Sequence, residues 1–208
     1  MRTSLRNLVL TEEFDYNFIK HALREYKHPR VKINDLLKSN KIIRVKKGLY
    51  VFGPEMARQP YSKESLANLI YGPSYISLEY ALFFYGLIPE QVETVTSITN
   101  KRNKKFKTPI GHFSYRYINP TIYFYGVTLH EMDEFHSFLI ATKEKAISDL
   151  LYFAEKINDT NELENHLFKN LRLEPDDLLN FNLHRVQKLA ALYGHNISLL
   201  FNLLRKMK

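Results

Sequence analysis

The chain contains no cysteine and no tryptophan among its 208 residues. Without cysteine it can form neither disulfides nor thiolate metal sites, which suits a reducing cytosol. It has no run of 18 or more apolar residues, the length a membrane-crossing helix needs. Its opening, MRTSLRNLVLTEEF, lacks the apolar core of a signal peptide. The expectation is a soluble cytoplasmic protein with no membrane partner. No repeat of 20–50 residues and no low-complexity tract is visible. Also missing are Gly-x-Ser-x-Gly, the phosphate-binding G-x-x-x-x-G-K-[ST] and the dinucleotide G-x-G-x-x-G. What is present suffices for a core: 45% of residues are hydrophobic, with 14 Tyr and 14 Phe. The length fits one large domain or two small ones.

Charge is unevenly laid out. Of a net +8, residues 1–52 hold 12 Lys/Arg against 5 Asp/Glu, and residues 129–180 hold 5 against 12. Residues 53–128 hold 8 against 5, and residues 181–208 hold 5 against none. A basic front before an acidic later segment fits a protein that touches a polyanion with one end.

The most informative stretch is 32–52, KINDLLKSNKIIRVKKGLYVF. Ile33, Leu36 and Leu37 mark one face of a helix over about 30–40. Ile42, Ile43 and Val45 then face Leu49, Val51 and Phe52 across Lys46-Lys47-Gly48, where glycine tolerates the positive φ of a tight hairpin. Ahead of them, 15–26 reads as an amphipathic helix capped by Asp15, and Pro29 ends that unit. A helix followed by a cationic hairpin is the pattern of a winged helix-turn-helix, whose helix enters the major groove of duplex DNA while the wing rests on phosphates. The helix offers Arg30, Lys32, Asn34, Asp35 and Lys38. Lysine can donate to guanine, asparagine can pair with adenine, and aspartate can accept from cytosine. The alternatives are phosphate contact alone, or a solvated helix face. The wing offers Arg44, Lys46 and Lys47, phosphate contacts by type, although lysines at a hairpin tip also blunt an edge strand.

Residues 53–62, GPEMARQPYS, read as a linker between a first domain (1–53) and a second (63–208). In the second, 62–71 reads as a helix capped by Ser62, 75–87 as a buried helix, and 92–99, 111–117 and 122–128 as strands. A short strand follows at 138–141, and 143–156 is helical. Three or four helices fill 161–208, divided near Pro175 and Gly194. The fold class expected is α+β: a winged helix-turn-helix, then a mixed domain with a small antiparallel sheet and several helices.

A second basic segment, 100–107 (NKRNKKFK), supplies Lys101, Arg102, Lys104, Lys105 and Lys107 between two expected strands. It is a second DNA contact, a docking loop for an acidic partner, or a solubilising loop. Signals for chemistry are weak. The run HEMDEFH (130–136) is not H-E-x-x-H, and on a helix His130 and His136 lie about 600° apart in rotation. It reads as an acidic loop, with no metal and no cofactor. Lys145 and Asp149, spaced i, i+4, read as an ordinary helix ion pair. His184 and His195 read as packing or surface residues. No nucleophile, base and orienter can be assembled, so no catalytic residue is expected.

Taken together, IIRVKKGLYVF, PSYISLEYAL (73–82), the SIT…KxFKTPIGHFSY stretch (97–115) and KEKAISDLL (143–151) resemble the AbiEi family of antitoxins, over about residues 26–152. That resemblance implies a DNA-binding winged-helix head and a C-terminal antitoxin domain. It implies autorepression of a type IV toxin-antitoxin operon linked to abortive phage infection, through double-stranded operator DNA. It also implies a functionally paired toxin of the nucleotidyltransferase type. The chain departs from a full three-helix head: only Lys27-His28-Pro29 separates the first two helices, as if the middle one were missing or merged. Two other readings stay open, a stand-alone winged-helix regulator and an accessory of an enzyme acting on nucleic acid.

Overall fold

The computed structural model describes residues 5–208; the first four residues of the expected 1–53 domain lie outside them. The chain opens with α1 (Leu5–Leu8), β1 (Glu13–Asp15), α2 (Tyr16–Ala22), α3 (Pro29–Lys38), β2 (Ile42–Lys46) and β3 (Leu49–Phe52). As the sequence suggests, Asp15 caps α2, its Oδ1 accepting the Phe18 N–H at 2.7 Å. Pro29 opens α3, where a helix leaves an amide unpaired in any case. Asn40, at φ 53°, provides the left-handed residue just past its end, and Gly48, at φ 88°, turns the hairpin. Three helices are present, but the additional one precedes α2 instead of following it. At four residues, α1 is too short to leave a periodic signal.

β1 pairs antiparallel with β3, giving a three-stranded sheet in the order β1-β3-β2. One side of this sheet closes the first core: Phe14, Ile42, Tyr50 and Phe52 pack with Ile19, Leu23, Ile33 and Leu36. The other side carries Val45, Leu49 and Val51, which belong to the larger core of the rest of the chain. All four residues of β3 are therefore buried, which explains why LYVF is apolar throughout instead of alternating.

The remaining elements are α4 (Lys63–Ile70), β4 (Ser74–Ile76), α5 (Leu78–Phe84), β5 (Val95–Thr99), β6 (Lys104–Thr108), β7 (Gly111–Tyr117), α6 (Pro120–Tyr123), β8 (Val127–Glu131), β9 (Ser137–Ala141) and α7 (Lys143–Phe153). After them come α8 (Thr160–Glu164), a π-helical turn (Asn165–Asn170), α9 (Pro175–Leu179), α10 (Leu183–Tyr193) and α11 (His195–Met207). The large sheet is six-stranded and mixed, not small and antiparallel. Its order is β6-β7-β5-β4-β9-β8, with β5/β7 and β4/β9 parallel. β7 stays paired with β6 in a hairpin and inserts between β6 and β5, and that insertion makes the β5/β7 pair parallel.

Other expectations are also corrected. The strand expected at 122–128 is mostly helix α6 and a turn, and only its last two residues open β8, because Asn119 caps the Thr121 N–H at 3.0 Å and Pro120 starts the helix. The helix expected over 75–87 begins only at Leu78, after strand β4. The expected loop 100–107 is largely the edge strand β6. The expected linker 53–62 has no regular structure but is strapped down. Glu12 Oε1 accepts from the Arg58 and Gln59 amides at 3.2 and 3.3 Å, and Glu13 Oε1 accepts from the Ser62 amide at 2.6 Å. Ser62 then caps α4 as expected, accepting from Ser65 N at 3.0 Å. Among the described residues, no helix is long and apolar enough to cross a membrane.

Candidate nucleic-acid interface

Arg30, Asn34 and Lys38 recur every four residues along α3, so they form one stripe about 40° apart in steps. All three are exposed. Asp35 lies beside them in solvent, and so does Val31, 57% exposed and between Lys38 and Asp35 in angle. Val31 is absent from the candidates named on sequence grounds. The signal was available, since it falls outside the Ile33-Leu36-Leu37 stripe. Lys32 stands apart: its ammonium lies 5.7 Å from the centre of the Tyr26 ring.

On the hairpin, Arg44 and Lys47 project towards solvent. Lys46 does not. Its ammonium donates to the Leu69 carbonyl at 3.1 Å and to the Ile70 carbonyl, so it closes the C-terminus of α4, where a cation is favoured. Burial, and then repulsion from the Lys104 ammonium, lower its pKa. The hairpin tip and the second basic segment, far apart in sequence, are thus neighbours.

That segment folds around Tyr71. The Tyr71 hydroxyl donates to the Arg102 carbonyl at 3.3 Å. The ammonium groups of Lys101 and Lys104 lie 5.7 and 5.3 Å from its ring centre. Lys101 also donates to the Gly72 carbonyl at 2.6 Å. Strand alternation splits the rest. Lys104 and Phe106 oppose Tyr115 and Phe113 on the Tyr71 side of the sheet, whereas Lys105 and Lys107 oppose Ser114 and His112 and face the other way. An open groove of about 790 Å³ runs between Tyr71, Asn100, Lys101, Arg102, Asn103 and Tyr117.

None of these eleven cations is paired with an acid among the described residues. The ion pairs lie elsewhere: Arg6–Glu12, Glu13–His136–Asp133, Lys145–Asp149, Glu90–Arg172 and Glu144–Arg185.

Two features flagged for chemistry resolve differently. Lys145 and Asp149 are fully buried, their charged atoms 3.1 Å apart. Asp149 also accepts from Tyr75 at 3.0 Å, Ser77 at 2.7 Å and Tyr193, and Lys145 donates to the Ile122 carbonyl at 2.7 Å. Burial lowers the Lys145 pKa, against the opposing pull of Asp149. This is a sealed polar core, not the exposed helix pair expected from spacing. The run 130–136 is not an acidic loop throughout: His130 and Glu131 end β8, and the remainder turns into β9. His136 is buried, its Nδ1 2.7 Å from Asp133 Oδ2 and its Nε2 3.2 Å from Glu13 Oε2. His130 instead packs against Phe84 and Phe138. Of the two other histidines, His195 Nε2 lies 2.8 Å from the Ile157 carbonyl, and His184 sits exposed on α10.

The α3 stripe, the outward side of the hairpin and the groove are therefore exposed cationic features without acid partners among the described residues, and comparison adds nothing to them: no family model matches this sequence, and neither does any curated protein.

Proposed function

We propose that the chain is a DNA-binding antitoxin and autorepressor of a type IV toxin-antitoxin operon. Its head is read as a winged helix-turn-helix and its partner as a toxin of the nucleotidyltransferase type. One observation carries the DNA-binding half. Arg30 and Lys38 on α3, with Arg44 and Lys47 on the hairpin, are outward-facing cations with no acid partner among the described residues, and the Asn34 amide stands between the first two, on elements that run helix, strand, helix, helix, strand, strand. That order supports α3 as the recognition helix and the β2–β3 hairpin as the wing. Val31 adds an apolar group suited to a thymine methyl. Lys46 pins the hairpin to α4 in this reading, and Lys32 is a flank. The antitoxin half rests on the resemblance carried by 73–82, 97–115 and 143–151.

A gel shift on the chain's own promoter tests the first half. Affinity should fall steeply with salt, because bound phosphates release counterions. Arg44→Glu with Lys47→Glu should weaken binding to every sequence and flatten the salt slope by about 0.9 for each phosphate no longer neutralised. Arg30→Ala with Asn34→Ala should relax sequence choice. Salt-insensitive binding, or a wing variant that binds as before, overturns the reading. Rescue from a co-expressed neighbouring nucleotidyltransferase tests the second half.

A further inference from the structure

We propose that the groove between Tyr71 and Tyr117 binds single-stranded nucleic acid, with an unpaired base stacked on Tyr117. The inference does not rest on the head binding duplex DNA.

The groove combines what such a strand needs. Tyr117 ends β7 at 46% exposure, and among the described residues its ring meets no other ring and no cation. Tyr71, by contrast, is fixed by Tyr115 and Phe106 at 5.3 and 5.9 Å between ring centres. A free ring face beside a fixed one suits an unpaired base, whereas both faces of a base in a duplex are already covered by its neighbours. Stacking on aromatic side chains beside a basic track is how proteins hold single strands. Among the described residues, the Arg102 guanidinium makes no hydrogen bond or ion pair. Lys101 and Lys104 are pinned at the rim by the Tyr71 ring, so they hold positive charge in place for phosphates. Two amides complete the wall. Asn103 Oδ1 accepts the Tyr117 amide at 2.6 Å, which turns its NH₂ group outward as a donor. Asn100 makes no side-chain hydrogen bond among the described residues and can read a base edge. Donors outnumber acceptors, which favours bases rich in carbonyl acceptors, uracil and thymine. The volume of about 790 Å³ lies in the range of small-molecule sites.

The test is fluorescence anisotropy on the full chain with labelled eight-nucleotide oligo(U) and oligo(dT), a duplex of equal length and a poly-glutamate peptide. In the Arg44→Glu, Lys47→Glu chain, which removes the duplex contacts of the head, either single strand should bind more tightly than the duplex or the peptide. A difference between oligo(U) and oligo(dT) shows which strand the site prefers by 2′-hydroxyl and 5-methyl together, and either preference supports the assignment. Tyr117→Ala should weaken single-strand binding roughly tenfold, Tyr117→Phe should retain it, and Arg102→Ala should reduce it. Tyr117 is exposed, so an unchanged melting temperature will show that the variants fold. Arg30→Ala with Lys38→Ala should leave oligonucleotide binding intact even if it abolishes the promoter shift, which separates this site from the head. Equal binding of duplex or peptide, or an unaffected Tyr117→Ala, overturns the proposal.

Discussion

Lys145 and Asp149 show how one spacing carries two meanings. An i, i+4 pair on a helix surface contributes a few tenths of a kcal/mol. The same pair, with neither side chain exposed, is bound into Tyr75, Ser77, Tyr193 and the Ile122 carbonyl. The spacing was legible; the burial was visible only in the surroundings, since Ala146, Ile147, Ser148 and Leu151 leave α7 little polar surface to turn outward. Asp149→Ala strands a buried ammonium and should cost about 3–5 kcal/mol, read as a lowered urea midpoint at unchanged m-value. A variant of native stability would show that the ion pair is dispensable. Caps were legible for a local reason: Asp15 and Ser62 bond to amides three residues on, and nothing distant decides the outcome.

At the scale of elements, legibility followed length and locality. The α3 helix, the β2–β3 hairpin, α4 and α7 appeared where the pattern put them, because each has a clear period and local caps or turns. β1 is three residues long and exists through its pairing with β3, a partner more than thirty residues away, so no local pattern announces it. β6 was mistaken for a loop because Lys104, Lys105 and Lys107 dominate it. Lysine is also what an edge strand carries to discourage pairing with another chain, and β6 is an edge. The groove escaped sequence reasoning too, since Tyr71 and Tyr117 lie on separate elements. Gly53 joins the hairpin to the strap, and its amide donates to the Lys41 carbonyl at 2.9 Å. A Cβ there would sit 1.7 Å from the Asn40 carbonyl oxygen, which is backbone and cannot swing away. Gly53→Ala should therefore force α3 and β3 apart, costing about 1–3 kcal/mol and weakening promoter binding, by melting temperature and gel shift. A variant with native values for both would remove Gly53 from the head's architecture.

For the whole molecule, the junction between head and body is wired as well as packed. His136 reaches from the β8–β9 turn to Glu13 of β1. Burial would lower the His136 pKa, but hydrogen bonds and charge from Asp133 and Glu13 outweigh it and leave it raised above the ordinary 6.5. A histidine raised in the folded state stabilises fully below pH 6.5 and loses that stabilisation as pH climbs through its raised value. Burial raises the Glu13 pKa from 4.5, opposed by the Ser62 amide and His136. A carboxyl raised in the folded state favours folding at low pH and gives that up as pH rises past 4.5, so its contribution changes mainly below the histidine's range. The melting temperature should then drop as pH rises above 6.5, and His136→Gln should flatten that drop; parallel curves for the two proteins would refute the link. The sequence suggested two domains joined by a linker, and the buried residues fall into two clusters. What it concealed is that Val45, Leu49 and Val51, on strands of the head, are interior to the body's core. A fragment cut at residue 62 would bare that greasy flank to water, so the excised head should clump or crave a surrogate lid. Anyone transplanting it onto another protein would have to carry α4 along.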